Sequence, residues 1–134
     1  MTGPRLVSIL RQGSYLIASI HTALDDTEMT AFQHDLVERI GRDRARGVVI
    51  DVAALDVLDS FASWTLRTIG EVARLRGAVT VVVGIQPEVA FAMVALGMDT
   101  GSVRTALDLE EGLAFLDRVV GPRRPATATR GGPA

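Results

Sequence analysis

The chain has 134 residues, enough for one domain with a sizeable core. Its net charge is −2 and no basic field runs along it, which argues against nucleic acid or an anionic membrane as partner. Cysteine, lysine and asparagine are absent, so disulfides, thiolate metal sites, a cysteine nucleophile, a lysine Schiff base and a Walker-type lysine are all excluded. Hydrophobic residues make up 48%, a little apolar for a solvated monomer.

In chain order, "RLVSIL" and "YLIASI" flank the short turn "RQGS". They predict a hairpin over residues 6–11 and 15–20. "LDDTEM" supplies helix-start chemistry, and Met29, Phe32, Leu36, Val37 and Ile40 follow at helical spacing, giving a helix over about 26–44. "VVID" is a continuous apolar run, as in strands paired in parallel. A second helix is expected from Ser60 to about Arg76 and a strand at "AVTVVVG". A third helix should start at Pro87, which suits a first helical position, and end at Gly97. A short strand near "SVRTA" leads to a last helix with Asp108 and Glu111 at cap and third position, and Leu109, Leu113, Leu116 and Val120 on one face. The order β-β-α-β-α-β-α-β-α describes an α/β domain, a small mixed sheet packed against about four helices over residues 1–120. Residues 121–134, rich in Pro, Gly, Thr and Arg, read as a disordered tail. No apolar stretch is long enough for a membrane span, and the N-terminus is too short and broken for a signal peptide, so a cytoplasmic protein is expected.

Few residues suggest catalysis. His21 and His34 lack partners at metal-ligand spacing. Asp51, Asp56 and Asp59 cluster after the third strand and could hold Mg²⁺, or could serve turns and caps. No phosphate-binding, nucleophile-elbow or zinc motif occurs. No metal or cofactor is therefore expected, and an enzyme built on the three aspartates is the weakest reading. Trp64, the only tryptophan, is either an interface anchor or a core residue.

Ser60 carries the sharpest question. Serine is a common N-cap, but position 63 is serine rather than glutamate or glutamine, so no capping box closes there. A phosphate on Ser60 would meet free backbone N–H groups at the helix start and would be opposed by Asp56 and Asp59.

The segments "LDDTEMTAFQHDL", "VVIDVAALDVLDSF", "GAVTVVVGIQPEVA" and "TALDLEEGLAFL" resemble a STAS domain of the RsbS type, the single-domain scaffold of the stressosome, over about residues 4–120. The resemblance implies the STAS fold, no enzymatic activity and no cofactor. It implies that Ser60, in D-S-F, is phosphorylated by an RsbT-like serine/threonine kinase and dephosphorylated by an RsbX-like phosphatase. Its partners would be that kinase and an RsbR-type paralogue, in a homo-oligomer or a large hetero-assembly. RsbR-type proteins carry an additional N-terminal sensor domain, for which this chain has no room. The expected partner-binding residues are Asp56, Asp59, Phe61 and Trp64, with Gln86, Pro87 and Glu88 of the G-I-Q-P turn. A direct antagonist of an anti-sigma factor is the alternative, although D-S-F-A here departs from the D-S-S-G usual in those proteins.

Overall fold

The computed structural model describes residues 6–98 and 100–121, so all but Gly121 of the expected tail lies outside the described residues. Its elements are β1 (Val7–Gln12), β2 (Tyr15–Ile20), α1 (Asp26–Asp43), β3 (Gly47–Asp51), α2 (Ser60–Leu75), β4 (Val79–Val83), α3 (Pro87–Ala95), β5 (Arg104–Ala106) and α4 (Leu109–Val119). The expected order is reproduced, with boundaries shifted by one or two residues.

The five strands lie side by side in chain order. β1 and β2 form the antiparallel hairpin, turned through Gly13 at φ +61°, and every later pairing is parallel. Each parallel crossing steps the same way along the sheet, and right-handed crossings then place their helices on one face. The pleat sorts the side chains accordingly. Leu16, Ala18, Ile20, Val48, Ile50 and Val82 pack with Phe32 and Leu36 of α1, Leu66 and Ile69 of α2 and Val89 of α3. Tyr15, Ile17, Val49, Val81 and Val83 point to the opposite face, where Leu116 of α4 joins them. Strands buried on both faces explain the nearly continuous apolar runs of β3 and β4, which only the buried Thr80 interrupts before the terminal Asp51 and Val83.

Local chemistry sets the helix ends. Asp25 caps α1: its Oδ1 accepts from Glu28 N at 2.7 Å, and Glu28 Oε1 accepts from Asp25 N at 2.9 Å, a reciprocal capping box. Asp108 caps α4 by accepting from Glu111 N, while Glu111 accepts from Leu107 N, one residue ahead of the cap. α2 lies so close to the approach to β5 that a Cβ on Gly70 would overlap the Val103 side chain.

The Tyr15 hydroxyl donates to Asp117 Oδ1 at 2.6 Å, tying the start of β2 to the end of α4. Burial, then this bond and the Asp117 charge, push the phenol up to about 12, with Arg46 acting in the opposite sense. The unfolded phenol ionises near pH 10, about two units lower. Stability from the neutral phenol is therefore complete below about pH 10 and declines as pH rises toward 12. Urea midpoints at pH 9 and 11 should show this decline, and Tyr15→Phe should flatten it; an equal decline in the variant would contradict it.

Candidate functional site

The site is built at the carboxyl end of β3, where the chain crosses to α2. Asp51 Oδ1 accepts from Ala53 N at 2.9 Å and turns the chain out of the strand. Leu55 and Leu58 are buried and pin the connecting segment to the core, leaving Asp56 and Val57 exposed between them.

The start of α2 differs from the sequence expectation. The N-cap is Asp59, with extended backbone at φ −76° and ψ 179°, and its Oδ1 accepts from Ala62 N at 2.8 Å. Ser60 is thus the first helical residue rather than the cap, and it is exposed. Aspartate and serine are equally good caps, and here the carboxylate one residue earlier takes the role. The capping-box position is Ala62, not position 63, and the first turn of α2 carries no acid. We expect Asp59→Ala to cost about 1 kcal/mol in urea unfolding, whereas Ser60→Ala should be close to neutral. The reverse ranking would show that the serine does the capping.

Trp64 lies one turn beyond Ser60 with 57% of its surface exposed, which places it outside the core. Its ring stands 6.1 Å from that of half-buried Phe61, tilted by 33°. Gln86 Nε2 donates to the Ala53 carbonyl at 2.9 Å, joining the start of α3 to the segment that leads to Ser60. Close approach makes this possible: Gly84 has φ +83°, and a Cβ there would stand 2.8 Å from Ala53 Cβ. Pro87 and Glu88 follow, both exposed in the first turn of α3. Asp56, Asp59 and Glu88 are therefore solvent-facing carboxylates at the helix starts, and Gln86 is held against the connecting segment. Asp51, Asp56 and Asp59 do not converge on a cation position; among the described residues no group of three His, Cys, Asp or Glu side chains could hold a metal ion.

Residues that sequence reasoning passed over complete the surface. α3 is apolar around its whole circumference after Glu88, yet within it only Val89 is fully buried. Phe91 and Val94 are 78% and 79% exposed, and Leu96, just past the helix, 67%. The signal lay in "VAFAMVA", which has no polar stripe to face water. A groove between α2 and the end of α3 is lined by Ser60, Ser63, Trp64, Arg67, Leu96, Gly97 and Met98. A polar serine thus opens beside an apolar patch of the kind that marks protein–protein contacts. Among the described residues, no helix is long and apolar enough to cross a membrane.

The family model for the STAS domain matches residues 7–112, and the chain belongs to the STAS-domain family. Within that family its likeness is to the RsbS type. It is 34% identical to a serine-to-glutamate variant of Moorella thermoacetica RsbS, with a TM-score of 0.74 over 84% of this chain and 96% of that one. A chain from the molecular architecture of the stressosome, a signal integration and transduction hub, is 32% identical, with a TM-score of 0.68 over 84% of this chain and 97% of that one. RsbRA of Bacillus subtilis (strain 168), an RsbT co-antagonist protein, is 29% identical over 90 residues, which are 67% of this chain and 33% of that protein. The chain thus spans about a third of the length of this curated relative.

Proposed function

We propose that this domain is a non-enzymatic, cytoplasmic signalling scaffold. It co-assembles with an RsbR-type STAS paralogue and holds an RsbT-like serine/threonine kinase. Phosphorylation of Ser60 by that kinase releases it, and an RsbX-like phosphatase restores the capturing form. The likeness to RsbS and to stressosome chains supports the assembly. The observation that carries the switch is the position of Ser60, exposed in the first turn of α2 and one turn from the outward-facing Trp64. A phosphoserine brings about −1.5 to −2 charges at neutral pH. Beside Asp56 and Asp59 it adds like charge to a surface whose apolar part must lose water when a partner binds. The kinase should therefore present an apolar centre with a basic rim, and high salt should slow association.

The test is particle mass. Purified alone and then mixed with its RsbR-type paralogue, the protein is followed by light scattering, and the kinase is added last. The scaffold reading expects megadalton particles that retain the kinase before ATP is added and lose it afterwards. A small free protein that ignores the paralogue and captures an anti-sigma factor would replace this reading with that of a direct antagonist.

A further inference from the structure

The groove beside Ser60 contains a single charged side chain among the described residues, Arg67, and it is positive. Ser60, Ser63 or Trp64, and Arg67 follow one another at helical spacing, so Ser60 and Arg67 lie on the same side of α2, two turns apart, or roughly 10 Å along its axis. The Cα–Cβ bonds of a helix tilt toward its N-terminus, so a side chain at position 67 is able to reach along the groove toward Ser60. In the unmodified chain its stem rests over the turn at Gly101: a Cβ built there would stand 2.8 Å from Arg67 Nε and 3.2 Å from Glu71 Oε2. Glu71 is already engaged by Arg74 at 3.2 Å and by Ser102 at 3.1 Å. Arg67 is exposed, so a change of rotamer need not disturb the core.

We propose that Arg67 is the intramolecular receptor of a phosphate on Ser60. The guanidinium leaves the Gly101 turn, swings along the groove and pairs with the phosphate over Trp64. This inference rests on Ser60 being the modified residue. It adds that phosphorylation covers the indole as well as adding charge, so the apolar anchor and the electrostatic match are lost together. Arginine suits the task, because its planar fork engages phosphate through two parallel hydrogen bonds and stacks on aromatic rings. Among the described residues, Asp56 and Asp59 ahead of α2 and Glu88 at the start of α3 are acidic and exposed, so Arg67 is the cationic side chain that the groove offers the phosphate, in addition to the backbone N–H groups at the helix start.

The experiment uses full-length protein with phosphoserine installed at position 60 during translation, which requires no kinase. The second phosphate ionisation is followed by ³¹P NMR in the parent, Arg67→Met, Arg67→Lys and Arg74→Met. Methionine keeps the aliphatic stem, and Arg74→Met removes an equal charge farther along α2. We expect Arg67→Met to raise the phosphate pKa by about half a unit, Arg67→Lys to raise it less, and Arg74→Met to leave it in place. A rise of the same size with Arg74→Met, or none with Arg67→Met, overturns the proposal. Unmodified Arg67→Met, melted in parallel, should unfold at the parent temperature; a large fall would mean that Arg67 is a structural residue and would also overturn it. Whether a kinase modifies Ser60 is decided separately, by mapping phosphates on the natural protein.

Discussion

Glutamate at position 60 should weaken capture of the switch kinase by about 10- to 100-fold while barely changing the stability of the domain. Both halves of this expectation come from the start of α2. Ser60 is exposed and Asp59 makes the cap, so replacing the serine breaks no bond that holds the helix. An acid in the first turn is favoured by the helix dipole by about 0.3–1 kcal/mol. Asp59 beside it opposes that gain, and the two nearly cancel. The effect on binding is not cancelled in this way. The carboxylate opens onto the groove that Trp64 and Leu96 line, where a docked partner would have to desolvate it. One added charge is less than a phosphate carries, so the phosphorylated protein should bind more weakly still. Titration calorimetry against the kinase, with Ser60→Ala as the neutral control, gives the ratio directly. Equal affinities for alanine and glutamate would remove charge from the mechanism.

The largest loss of stability is expected at the opposite end of the molecule. Leu116→Ala should destabilise the domain by about 3–5 kcal/mol. Leu116 is fully buried and belongs to the smaller of the two cores, which α4 completes. The fit is close on both turns of that helix: a Cβ on Gly112 would stand 2.7 Å from Val83 Cγ1, and one on Gly47 would stand 2.8 Å from Leu116 Cδ1. α4 has no neighbouring helix on that face among the described residues, so no second helix can lean in to fill the cavity. With a urea dependence of about 2 kcal/mol per molar, the midpoint should fall by roughly 1.5–2.5 M. Kinase capture by the fraction still folded should be unchanged, because Leu116 packs against the first residue of β3, whereas the segment that leads to Ser60 leaves from its other end. A loss below about 1 kcal/mol would mean that the face relaxes far more than a close-packed one should.

Much of the fold could be read from periodicity and punctuation. "VVID" and "AVTVVVG" are strands because parallel pairing buries both faces, and the Asp25–Asp26 pair, either of which could cap, Pro87 and Asp108 mark helix starts by chemistry that acts within a few residues; the structure gives the first cap to Asp25. The errors occur where two residues are equally suited to one local task. Asp59 and Ser60 can both cap, and a one-residue difference turned the supposed cap into an exposed first-turn hydroxyl. Trp64 could have faced inward or outward at the same helical spacing, and only the packed structure distinguishes the two. The apolar face of α3 was written in its composition, but a wholly apolar helix usually suggests burial. Here the sheet ends at the short β5, and α3 buries little beyond Val89. Arg67 carried no signal at all, since its interest comes from sharing a groove with Ser60.

Mapping the phosphate decides whether Ser60 is the switch. The protein, its RsbR-type paralogue and the candidate kinase are incubated with ATP and Mg²⁺, and modified residues are identified by intact mass and peptide sequencing, with Ser60→Ala in parallel. One phosphate is expected, on Ser60, absent from the variant and accompanied by loss of bound kinase. An unmodified Ser60, with the kinase shown to be active on another substrate, would contradict this expectation and leave this domain a building block without a switch.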